Sequence, residues 1–96
     1  MDKVKVLMID DNVQLIEAVK EYFSSSKQIE IVCEAHDGVE GFEKIKSEEF
    51  DVVVLDLIMP KKDGLYVLDE MKKHNINKKV IVATSYNTQE AIREVS

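Results

Sequence analysis

Cysteine occurs once in this chain, at Cys33, so no internal disulfide can staple the fold. A single thiol in an apolar run reads as a buried small hydrophobe, and a reducing, cytoplasmic setting is the simple expectation. No apolar stretch approaches the length of a membrane span, and Met1-Asp2-Lys3 leads straight into a strand pattern, so neither a membrane anchor nor a signal peptide is expected. Basic residues are in the minority, 13 against 19 acids, for a net charge of -6. That balance argues against direct nucleic-acid binding, which needs a basic face. Proline occurs once, at Pro60, and glycine three times, at Gly38, Gly41 and Gly64. Repeats, low-complexity tracts and linkers are lacking, so the 96 residues read as one small domain, 1–96.

What is present is a regular alternation of strand and helix signals. Val4–Ile9 is an apolar run ending in Asp10-Asp11-Asn12, and Asn12 is a good N-cap for a helix carrying Leu15, Ile16, Val19 and Phe23 to about Ser24. Ile29–Ala35 alternates as a strand with one partly wet face does at a sheet edge. His36-Asp37-Gly38 turns the chain into a helix marked by Val39, Phe42 and Ile45, in which Gly41 is a helix-weakening residue. The stretch Asp51–Asp56 is three valines and a leucine between carboxylates, and it predicts a strand covered on both faces. Pro60 then stops the ladder, and Gly64 is expected to permit a turn that other residues resist. Leu65, Leu68 and Met71 give a helix to about His74, whose last-turn cations suit the dipole. Val80–Ala83 is a fourth short strand ending at Thr84, and Ala91, Ile92 and Val95 mark a fourth helix start.

The order β-α-β-α-β-α-β-α implies an α/β fold with a parallel sheet and helices on both faces. Ligand chemistry gathers at the carboxyl ends of such strands. Two strands end in acids there, Asp10-Asp11 and Asp56. If those strands are neighbours the carboxylates share a pocket, and three together need a cation or a raised pKa. Magnesium, a hard cation taking one or two carboxylates plus waters and phosphate oxygens, would answer that need; solvated strand-end acids would be the plain alternative. His36 and His74 lack a second His or Cys at ligand spacing and read as loop and helix-end residues.

Together Asp10-Asp11-Asn12, the strand-end Asp56, the run Met59-Pro60-Lys61-Lys62-Asp63-Gly64 and Thr84 after the fourth strand resemble the response-regulator receiver domain. The run Val54–Pro60 with Asp63-Gly64-Leu65 is most similar to the receiver of sporulation-initiation regulators of spore-forming bacteria. The resemblance implies a flavodoxin-like (CheY-like) open parallel sheet of order 2-1-3-4, with the family's fifth strand and fifth helix missing. It implies that Asp56 is the phosphoacceptor and Thr84 the switch hydroxyl. It also implies that Asp10, Asp11, Asp56 and the Ile58 backbone carbonyl hold Mg2+. The implied partner is a histidine kinase or phosphotransfer protein, and the implied output is one such as transcription. The missing fifth strand leads to two further expectations: a chain that is part of a longer receiver, and self-association through an exposed fourth strand. A haloacid-dehalogenase-type phosphatase would want an acid where Ile58 stands. A flavodoxin-like nucleotide or flavin binder would want a Gly- or Ser/Thr-rich first loop. The remaining rival is a receiver-like interaction module that is never phosphorylated.

Overall fold

The computed structural model describes residues 3–59 and 63–83. Four strands and three helices alternate in β1 (Val4–Ile9), α1 (Val13–Tyr22), β2 (Ile29–Ala35), α2 (Gly38–Ser47), β3 (Val52–Leu55), α3 (Gly64–Lys73) and β4 (Lys79–Val82). Every strand pair is parallel and the sheet order is β2-β1-β3-β4, the flavodoxin-like order expected. Thr84 and the pattern around Ala91, Ile92 and Val95 lie outside the described residues.

Each βα connection ends in a short polar side chain that satisfies the first free N–H groups of the helix. Asn12 Oδ1 accepts from the Leu15 N–H at 3.0 Å and Asp37 Oδ1 from the Glu40 N–H at 2.8 Å. Asp63 Oδ1 accepts from both Leu65 and Tyr66, at 3.1 and 3.3 Å. The far end of α3 closes with a left-handed residue, Asn75 at φ 56°. The Ile76 N–H reaches Met71 O at 2.9 Å and the Asn75 N–H reaches Lys72 O at 3.2 Å, the paired bonds of a Schellman stop. This device delivers Ile76 onto the core.

The two faces of the sheet are covered unequally. Under α2 and α3, Leu7, Ile9, Phe42, Val53, Leu55, Val67 and Met71 form one closed cluster. Under α1, among the described residues, only Val6, Met8 and Ile16 are buried. β3 therefore departs from the expectation of two dry faces: Val53 and Leu55 are buried, Val52 and Val54 only partly. The cause is placement. α1 packs over β1 and β2, and Val54 faces an apolar groove of about 430 Å³ bordered by Met8, Phe23, Ile81 and Ala83. Cys33 likewise is half-buried rather than buried, because β2 is an edge strand. That edge is irregular: Val6 pairs with Ile31 and Leu7 with Cys33, so Val32 is an extra residue, a β-bulge.

Gly41, a weak point in helix propensity, has a packing reason. A Cβ there would stand 2.7 Å from Ile9 Cδ1 and 2.9 Å from Ile9 Cγ2. The missing side chain lets α2 lie close to β1, against the residue that precedes Asp10.

Candidate metal and phosphoryl site

The ladder runs one residue past the ends of β1 and β3 and holds both strand-end acids. The Asp10 N–H donates to Ala35 O and the Asp56 N–H to Ile9 O, each at 3.0 Å. Their side chains are then fixed in the same way. Asp10 Oδ1 accepts from the Asn12 N–H at 2.8 Å, and Asp56 Oδ1 accepts from the Ile58 N–H at 3.0 Å. Each acid thus folds back on the amide two residues ahead, a local turn that Asp makes readily. The result is two carboxylates of matched geometry on adjacent strands.

Asp10 and Asp56 are buried, at 7% and 2% exposure, whereas Asp11 is exposed. Carboxylate oxygens of the three lie within 4.8 Å of one another. Burial pushes the Asp10 carboxyl above its ordinary 3.8, and the charges of Asp56 and Asp11 and a hydrogen bond with Asp56 push the same way, while the Asn12 N–H opposes them. Two desolvated carboxylates facing a third are costly as anions. An oxygen-only set of hard donors, repelling one another and open to solvent at Asp11, fits a magnesium-sized cation. Among the described residues this is the one group of three acid, His or Cys side chains close enough to share a metal.

The structure brings Asp10, Asp11 and Asp56 together as the sequence led one to expect. For Ile58 it fixes the amide on Asp56 and leaves the residue 51% exposed. His36 lies between Glu34 Oε2, 3.1 Å from Nε2, and Glu40 Oε1, 3.4 Å from Nδ1, so it is a surface residue engaged by two carboxylates. Glu34 also accepts from Lys20 Nζ at 3.0 Å. His74 caps α3 and packs on Phe42 with ring centroids 5.2 Å apart. A hollow of about 730 Å³ lies at the other end of the strands, bordered by Lys5, Glu30, Asp51 and Lys78. Its charges are mixed in sign and form no comparable cluster.

Gly64 differs from its sequence reading. No glycine among the described residues has a positive φ, so Gly64 adopts a backbone open to other residues. What it provides is closeness. Its N–H donates to Leu57 O at 3.3 Å, and a Cβ would stand 2.6 Å from the backbone oxygen of Asp56. Nothing in the periodicity signals this approach; only the sheet and α3 together create it.

Residues 6–96 match the family described as response regulator receiver domain. A curated relative, a probable C4-dicarboxylate response regulator, DctR, of Bacillus subtilis, is 38% identical over 88 residues, 92% of this chain. This chain spans 39% of that relative's length. The receiver domain of the Francisella response regulator 1452 is similar in structure, with a TM-score of 0.78 and 32% identity over 97% of this chain and 76% of that one. A CheX–CheY complex with beryllium fluoride and magnesium from Borrelia burgdorferi matches at a TM-score of 0.78 and 29% identity, covering 95% of this chain and 69% of that one.

Proposed function

This chain belongs to the response regulator receiver domain family of two-component systems, and on that premise we propose that Asp56 accepts a phosphoryl group from the phosphohistidine of a histidine kinase or phosphotransfer protein. The observation that carries the reading is the pair of buried, identically tethered carboxylates, Asp10 and Asp56, with Asp11 beside them. The Ile58 N–H holds Asp56 Oδ1 and leaves Oδ2 as the attacking atom. An O–P bond forms as the donor's N–P bond breaks, and the bonding pair returns to the imidazole nitrogen. Such transfer depends mainly on positioning and charge neutralisation. Bound Mg2+ would supply the neutralisation of the clustered acids and of the phosphoryl oxygens. The residues to hold it are Asp10, Asp11, Asp56 and the Ile58 backbone carbonyl. The magnesium named in the similar CheX–CheY complex supports the choice of cation.

Thr84 follows Ala83 directly and is proposed as the hydroxyl that bonds the phosphoryl group and biases the loop after β4. Its role rests on the family resemblance. The domain is regulatory, and its proposed setting is cytoplasmic, in keeping with a single cysteine; among the described residues no helix is long and apolar enough to cross a membrane. An output such as transcription is proposed from the kinship with a response regulator. The narrower likeness to sporulation regulators rests on the Val54–Pro60 run, and the curated relative, a C4-dicarboxylate regulator, lends it no support. Self-association through β4 is supported by Ile81 and Val82, exposed at 56% and 48% on a strand paired only with β3 among the described residues.

Intact-mass measurement after incubation with acetyl phosphate tests the central step. One phosphoryl increment is expected, dependent on magnesium and lost in Asp56→Asn. An adduct that survives the substitution places the acceptor elsewhere. No adduct with either acetyl phosphate or a phosphohistidine donor returns the chain to the class of unphosphorylated interaction modules.

A further inference from the structure

We propose that Gly64 is a positioning residue for Asp56: its bare α-carbon lets the first turn of α3 bear directly on the phosphoacceptor's main chain. The inference rests on the phosphoacceptor reading above. A methyl group at this position would meet Asp56 O at 2.6 Å, Leu57 Cα at 2.9 Å and Leu57 Cδ2 at 3.0 Å. The first two are backbone atoms and cannot swing aside. Gly64 needs no special φ, so the requirement is one of space.

The clash has one place to go. α3 is anchored from behind by Val67 and Met71, buried at 0% and 5% in the closed cluster. Its start is tied to the segment after β3 by the Gly64 N–H, which donates to Leu57 O at 3.3 Å. A helix held at both points does not retreat, so the Asp56–Leu57 segment moves. That segment leads directly to the Ile58 amide, which sets the plane of the Asp56 carboxylate through a 3.0 Å bond. Displacing Leu57 therefore turns the carboxylate away from Asp10 and Asp11. Gly41 provides the contrast. A methyl there meets only side-chain atoms of Ile9, at 2.7, 2.9 and 3.2 Å, and a side chain can repack without moving Asp10's backbone.

The test compares Gly64→Ala, Gly41→Ala and the parent by calorimetric magnesium titration and by thermal melting without metal. Both variants are expected to melt below the parent. Only Gly64→Ala should also bind magnesium more weakly, by about tenfold or more, the range seen when the support of a metal ligand is lost. Gly41→Ala should retain parent affinity. Asp63→Ala loosens the same turn without adding an atom and serves if Gly64→Ala does not fold; it too should bind magnesium more weakly. Parent-like affinity in folded Gly64→Ala, or in Asp63→Ala where that serves, would overturn the proposal and leave the phosphoacceptor reading standing. A parent that binds no magnesium would sink both.

Discussion

Removing the charge of Asp10 should stabilise the protein in the absence of metal. Asp10→Asn retains an Oδ1 to accept the Asn12 N–H, which lies at 2.8 Å, so the local turn survives. What is lost is a buried anion whose carboxylate lies within 4.8 Å of those of Asp56 and Asp11. At that separation one like-charge pair costs about 3 kcal/mol with an effective dielectric of ~20. Counterions and the freedom of exposed Asp11 reduce the recoverable part to about 1–2 kcal/mol. For a domain of this size that raises the melting temperature by roughly 5–10 °C. The pH profile gives an independent check. Burial and neighbouring charge raise the Asp10 carboxyl above 3.8, so the folded state binds its proton more tightly than the unfolded state does. The Asp10 contribution to the stability of the metal-free parent must then fall as pH climbs through and above 3.8, until Asp10 is ionised in both states. Asp10→Asn lacks that loss, so the gap between the two proteins opens across the same window. Magnesium reverses the order: at a hundredfold excess over Kd a ligand adds about 2.7 kcal/mol to the protein that binds it, and Asp10→Asn forgoes much of this. Differential scanning calorimetry at several pH values, with and without magnesium, reads all three effects. A metal-free Asp10→Asn that melts below the parent at neutral pH would refute the claim that the acid cluster is strained without a cation.

Two further outcomes are expected. Glu34 is held below its usual 4.5 chiefly by its bond to Lys20, so its contribution to stability is full above about that pH and is lost as pH falls below it; Glu34→Gln should narrow the acid limb of the stability curve, and an unchanged limb would count against the Lys20–Glu34 pair. Light scattering across a dilution series should reveal a concentration-dependent dimer that Ile81→Lys abolishes, since a charge at an exposed strand edge opposes pairing; a monomer at every concentration would exclude β4 as a self-association edge.

The alternation of strand and helix was legible because apolar runs of strand length recur between helical patterns, and acids stand where two of those runs stop; the order 2-1-3-4, which makes those two strands neighbours and so joins Asp10, Asp11 and Asp56, came from the resemblance to receiver domains. Helix starts were legible at Asn12, a residue whose capping chemistry is local. The unequal cover of the sheet was not, because Val52 and Val54 are as apolar as Val53 and only the lateral placement of α1 decides which row is dry. The bulge at Val32 and the stop at Asn75 also escaped, since Val is a regular strand former and Asn a common loop residue. Gly41 was noticed for its cost to the helix and Gly64 for a turn, and neither reading points to packing. Composition flags a glycine's conformational freedom, but both serve close approach between elements distant in sequence, Gly41 to Ile9 and Gly64 to Asp56.

If copies pair through β4 as proposed, the bulge in β2 also sets how far that pairing can proceed. Sheets that grow strand by strand need a receptive border on both sides of every subunit. Among the described residues one border is broken by Val32, where the even spacing of amides and carbonyls is interrupted, and the β4 border carries a regular, apolar row. Two copies joined through β4 about a twofold axis would each spend that border and present only broken ones outward. Growth through the proposed β4 contact would terminate at its first step, giving a closed pair.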